Sequence, residues 1–188
     1  MKANVLWAAV LAACTPGGIG DPCTPESEYD PTFGGFDVRE VYVESKSFQC
    51  ESRVCLINHF QGRESCPWGQ TEADLSQPAG APARCRLPAS QDPVTVPVRA
   101  WNVERPAHET VYCSCRCAGP DPGARYCSCP DGYECRELVP EIGASSQQLA
   151  GSYCIKRGTA AAASDEAAPS CAEAPENASC PAEPFENP

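Results

Sequence analysis

Apolar and polar positions alternate only in short stretches of this chain. Phe36 to Val43 (Phe-Asp-Val-Arg-Glu-Val-Tyr-Val) alternates in part and is rich in β-branched and aromatic residues, which predicts a strand. Ser52 to Phe60, with Val54-Cys55-Leu56-Ile57 at its centre, predicts a second. Val94 to Val103 alternates Val94, Val96 and Val98, but Pro97 interrupts it, so an edge strand ending at Trp101 is expected. Tyr133 to Val139 is a further strand candidate after the turn Pro130-Asp131-Gly132. Between these runs lie turn sequences, Cys66-Pro67-Trp68-Gly69 and Gly119-Pro120-Asp121-Pro122-Gly123. Residues 70–92 read as a long polar loop pinned by Cys85. Val5 to Ala13 is a continuous apolar run, too short to cross a bilayer core, which needs about 20 residues.

Composition explains why the runs are short. Val, Leu, Ile and Phe together make up about 15% of 188 residues, below the roughly 20% at which a charged chain reads as unfolded. The 20 Pro and 14 Gly oppose long helices. A parallel α/β enzyme fold, a helical bundle and a large buried core are all disfavoured. The 15 cysteines offer another source of stability. The expected fold class is a small disulfide-rich, mainly β domain, with short antiparallel strands and long loops.

The cysteines fall into groups. Cys23, Cys50, Cys55, Cys66 and Cys85 form a first set. Cys113, Cys115, Cys117, Cys127, Cys129, Cys135 and Cys154 form a dense second set. Cys171 and Cys180 can close a small loop of their own. With Cys14 set aside, fourteen remain, enough for seven bridges with none left over. Five and seven are odd, so if the last pair closes on itself at least one bridge must join the first two sets. One compact unit is therefore expected over residues 23–158. Tyr112-Cys113-Ser114-Cys115 recurs as Tyr126-Cys127-Ser128-Cys129. Positions i and i+2 of a strand share a face, so each of these cysteines should bridge to a distant partner. The rival reading is a thiolate metal cluster at Cys113, Cys115, Cys117, Cys127 and Cys129 with His108 nearby. The C-x-C spacing differs from that of zinc sites, and no metal or other cofactor is expected.

Lys2 followed by the apolar run, and the ending Leu11-Ala12-Ala13-Cys14, resemble the lipobox of bacterial lipoproteins. The resemblance implies cleavage before Cys14, diacylglycerol on its thiol and an acylated amine. Residues 1–13 would be the signal peptide and 14–22 a lipidated, flexible tether. Membrane attachment would run through the N-terminal acyl chains. Thr15 in place of Asp favours the outer membrane, again by resemblance, while the face of that membrane stays open. Cys127-x-Cys129-x-x-Gly132-Tyr133 resembles the end of an EGF-like module, in which a closing Cys ties such a hairpin. Here Cys135 comes too early for that pattern. The overall layout resembles cysteine-rich outer-membrane lipoproteins of gliding-motility machines.

Residues 159–188 carry ten Ala and six acidic residues with no Lys or Arg, and are expected to form a solvated, disordered tail with a possible Cys171–Cys180 loop. A short helix around Ala160–Ala163 is an option. The formal net charge of −11, with a pI near 4.6, disfavours nucleic acid and anionic headgroups as partners. His59 and His108 sit in no catalytic pattern, and no paired carboxylates or phosphate loop stand out. A non-enzymatic envelope protein that binds another protein is expected, with an adhesion or ligand-binding module second and a metal carrier or enzyme third. Phe33, Phe36, Phe48, Phe60, Trp68 and Trp101 are either contact anchors or the core that so few aliphatics leave unfilled.

Overall fold

The computed structural model describes residues 16–78, 81, 84–141, 148–160 and 164–181. It is mainly β, with two three-stranded antiparallel sheets and few, single-turn helices. The first sheet has the order β1 (Val41–Glu44), β2 (Val54–Asn58), β3 (Val111–Ser114). The second has β4 (Arg116–Ala118), β6 (Gly151–Lys156), β5 (Tyr133–Val139), with β6 at its centre. Only Cys115 separates β3 from β4, so the chain steps there from one sheet to the other. The step is pinned to β6, since the Cys154 amide donates to the Cys115 carbonyl and the Ser114 hydroxyl to the Cys154 carbonyl.

The first sheet is covered on both faces, and the alternation of β2 and β3 divides its side chains. Register pairs Cys55 with Cys113, Leu56 with Tyr112 and Ile57 with Val111. Cys55, Ile57, Val111 and Cys113 join Phe36, Phe60 and Ala107 in one cluster, with Phe33 and Trp101 against it. Leu56 and Tyr112 point the other way and meet Tyr153 and Ile155 of β6. The second cluster thus glues the two sheets together, and the Tyr112 hydroxyl accepts from the Lys156 amide across the joint. A third, smaller cluster of Leu87, Val94 and Val98 lies beside the Cys66–Cys85 bridge.

Seven disulfides link all fourteen cysteines from Cys23 to Cys180: 23–55, 50–113, 66–85, 115–127, 117–135, 129–154 and 171–180. Cys50–Cys113 joins the first two sets and the tail pair closes on itself. In both C-x-C echoes each cysteine bridges to a distant partner.

Several expectations need correction. The strand over Phe36 to Val43 begins only at Val41, and Phe36 makes an isolated bridge with Gly62 instead. Val94 to Val103 forms no strand. It makes single bridges, Gln70 with Val98 and Asn102 with Ser170, because Pro93 and Pro97 have no amide to donate to a ladder. The loop 70–92 contains a one-turn helix, α1 (Glu72–Leu75), with a capping box in which Thr71 and Asp74 bond each other's amides. It is organised from inside by Gln70, which is buried. Its side chain donates to the Val94 and Val96 carbonyls and accepts from the Cys85 amide. The second echo, Tyr126 to Cys129, lies outside any strand. Part of the acidic tail is docked: the Val103 amide donates to Pro169, the Cys171 amide to Trp101, and Cys171 is fully buried. The Ala160–Ala163 helix option falls largely outside the described residues.

Candidate functional site

Residues 16–22 are not a free tether. The Gly17 amide donates to the Gln49 carbonyl at 2.7 Å, and the Glu51 amide to the Gly17 carbonyl at 2.9 Å. Gly20 donates to Cys113, and Cys113 donates back to Asp21. The segment thus lies as an extra edge along the β1–β2 loop and β3. Gly20 has φ +97° and sits under the Tyr133 ring, where a Cβ would collide with the phenol. A backbone-to-backbone docking of this kind leaves no side-chain pattern. The expectation of flexibility followed from Gly and Pro alone. Cys14 and Thr15, the lipidation residue and its neighbour, lie outside the described residues.

The loop that receives this segment, residues 45–53, is held from several directions. Ser47 donates to the Arg53 carbonyl, and the Arg53 amide to the Cys50 carbonyl. Arg53 has φ +66°, which closes the turn. Cys50 is fully buried in its bridge to Cys113. The Gln49 side chain exchanges two hydrogen bonds with the backbone of Thr24. From this fixed frame Phe48 projects with 79% of its surface exposed, its ring covered on one side by the Arg53 guanidinium at 3.9 Å. Phe36 and Phe60 are buried and Phe33 and Trp101 pack against them, while Trp68 is half-buried. Of these six aromatics, Phe48 is the one that stands exposed.

Among the described residues, sulfur atoms come together in three groups. Those of Cys23, Cys50 and Cys113 lie within 4.8 Å of one another, as do those of Cys115, Cys127 and Cys154, and those of Cys117, Cys129 and Cys135. Each group is made by bridges lying side by side; Cys154 Sγ, for example, is 3.7 Å from Cys115 Sγ. A metal needs thiolates, and every one of these sulfurs is bonded to another sulfur. Cys129 bonds Cys154 across the β5–β6 hairpin, and Cys135, within the hairpin, bonds Cys117.

Buried charge is concentrated around the first sheet. Glu28 and Arg63 are both fully buried, 3.4 Å apart. Arg63 also donates to the backbone carbonyls of Glu28, Asp30 and Phe33, and the Glu28 carboxylate accepts from the Glu64 amide and from Ser65. Burial, with the Glu28 charge beside it, pushes the Glu64 carboxyl up to about 7. Arg105 forms a second node. It donates to the Asn58, His59 and Thr159 carbonyls and pairs with Asp165 of the tail at 3.5 Å. Burial pulls the His59 imidazole below its ordinary value, and its Nδ1 lies 2.9 Å from the Val38 carbonyl. His108 is exposed, 3.9 Å from Glu109. The two histidines thus lie in separate surroundings.

A shallow groove of about 340 Å³ runs between Gly34–Asp37 and Pro97–Arg99. Asp37, paired with Arg39 at 2.7 Å and Arg99 at 3.9 Å, is held well below the usual carboxylate range, chiefly by its bonds from Arg39. A second groove, of about 200 Å³, lies by Pro120, Glu137, Glu141 and Gly151. Among the described residues no helix is long and apolar enough to cross a membrane. Comparison with protein-family models, with curated proteins and with solved structures finds no match.

Proposed function

We propose that this chain is a non-enzymatic, lipid-anchored protein of the bacterial cell envelope, whose disulfide-stapled domain binds another envelope protein. One observation carries the reading: all fourteen cysteines from Cys23 onward close on one another, leaving Cys14 as the unmatched thiol. Seven bridges suit an oxidising compartment beyond the cytoplasmic membrane. Cys14 stands at the end of the lipobox-like run, where acylation uses a thiolate. Three acyl chains give stable anchoring, since each buried CH₂ contributes about 0.8 kcal/mol. The outer membrane is the proposed location, on the strength of Thr15, and a surface or gliding-motility assembly is the proposed setting. The EGF-like reading, a surface adhesion or ligand-binding module, is favoured by one observation, the Cys129–Cys154 tie across β5–β6.

Mass spectrometry of the protein purified from its own envelope tests the anchor. The expected result is an N-terminal Cys14 carrying acyl chains, and a gain of fourteen hydrogens on reduction of the seven bridges. Cys14→Ser should release the protein into the soluble fraction; continued membrane retention would count against the anchor. Co-purification from detergent extract should then recover a protein partner, whereas recovery of the chain alone favours the adhesion module.

A further inference from the structure

We infer that the loop of residues 45–53 is a bilayer-contacting element, with Phe48 entering the headgroup region of the membrane that holds Cys14. The inference rests on the anchoring reading above and adds to it an orientation. Acylated Cys14 is three residues from Gly17, at most about 10 Å of extended chain. Gly17 is itself hydrogen-bonded on both sides of Cys50, to Gln49 and Glu51. The lipid therefore holds this edge of the domain against the membrane and leaves little room for rotation. Phe48 is next to Gln49, on that same edge.

Phe48 joins none of the three apolar clusters of the described residues. Its neighbours are tied down, Ser47 at 3% exposure and Gln49 through Thr24, while the ring stands 79% exposed. An aromatic side chain on a backbone that does not give way is a fixed protrusion. The charges around it suit an interface. Lys46 and Arg53 are exposed and Glu51 is the one acid of the loop, so residues 45–53 are net positive in a chain whose formal charge is −11. Arg53 lies over the ring at 3.9 Å, an arrangement that lets the aromatic sit at the glycerol level while the guanidinium reaches phosphate. Asp21, also near this edge, has its carboxylate turned to the Gly18 amide.

The test uses the acylated protein reconstituted in vesicles of phosphatidylethanolamine and phosphatidylglycerol containing brominated acyl chains. Phe48→Trp is compared with His108→Trp. His108 lies in α2 (Ala107–Thr110), where the chain enters β3 at the end away from loop 45–53, and its side chain is 72% exposed. Over the background of Trp68 and Trp101, the tryptophan at 48 should be quenched several-fold more than the one at 108. Equal quenching, with the acyl mass present on Cys14, overturns the orientation alone. Absence of the acyl mass overturns the anchor and the orientation with it. Both substitutions are on exposed side chains, and unchanged amide exchange of Val54–Asn58 would show that the fold persists.

Discussion

The two sheets are held by different means. The first, with residues 16–114 around it, has an apolar cluster of aromatic and β-branched side chains, three bridges spread over about a hundred residues (23–55 and 50–113 stacked together, 66–85 apart), and buried charges at Glu28–Arg63 and, with the tail, Arg105–Asp165. The second, residues 115–158, has three bridges within forty residues. Its β5 is exposed along its middle, and its apolar contacts are those it borrows from Leu56 and Tyr112. Where a chain supplies large apolar side chains it can bury charge among them and keep the geometry. Where it does not, covalent links restrict the unfolded state instead. The first region should therefore respond to charge and packing changes, and the second to loss of sulfur links.

The largest effect tests that division directly. Replacing Cys115, Cys117, Cys127, Cys129, Cys135 and Cys154 by Ser removes three bridges, about 6–12 kcal/mol if they add, as much as a small domain's whole stability. Hydrogen exchange should show β5 and β6 unprotected while Val54–Asn58 stays protected. Equal loss in both sheets would mean that the contact through Leu56, Tyr112, Tyr153 and Ile155 makes them one cooperative unit.

Next in size is the buried ion pair. Arg63→Met leaves the Glu28 carboxylate buried without its cation and should cost about 3–5 kcal/mol in chemical denaturation. Pairing it with Glu28→Gln should recover part of the loss. A cost below 1 kcal/mol would show that the pair is not a strut of the first region.

A pH dependence separates the regions further. Glu64 titrates at about 7 in the folded chain against an ordinary 4.5. Between those values the folded state keeps a proton that the unfolded state has lost, so stability from this group falls as pH rises from 4.5 through 7. Glu64→Gln should remove a slope worth about 2 kcal/mol, after allowance for partial exposure. Identical pH profiles for the two proteins would contradict the burial of this carboxyl.

The smallest effect concerns the tail. Asp165→Asn weakens its link to Arg105, which keeps three carbonyl partners, and should cost about 1 kcal/mol. Limited proteolysis should then cut the 164–181 segment sooner while the rest of the first region survives unchanged.

Some of this molecule was readable before any coordinates. β2 was expected from the apolar, β-branched run Val54-Cys55-Leu56-Ile57 and β5 from its place after the turn Pro130-Asp131-Gly132, because such runs and turns are properties of the local residues themselves. The joining of the cysteine sets followed from odd counts, and the avoidance of bridges within C-x-C pairs from the shared face of i and i+2. The capping box at Thr71 and Asp74 was a local signal that the polar, proline-rich surroundings of α1 concealed. Val94–Val103 had the alternation of a strand but lacked the amides, at Pro93 and Pro97, that a partner would need.

The chain alone determined that large aliphatics are scarce, that sulfur can supplement them, and that an odd count of fifteen cysteines leaves at least one outside any internal pairing. Those are matters of count and local order. Which cysteine meets which, why residues 16–22 lie fixed against Cys50 and Cys113, and why Phe48 is outside while Phe36 and Phe60 are inside were decided by tertiary structure. Each depends on backbone groups and side chains distant in sequence arriving at one place, and a hydrogen bond between two main chains leaves no mark on the residues that make it.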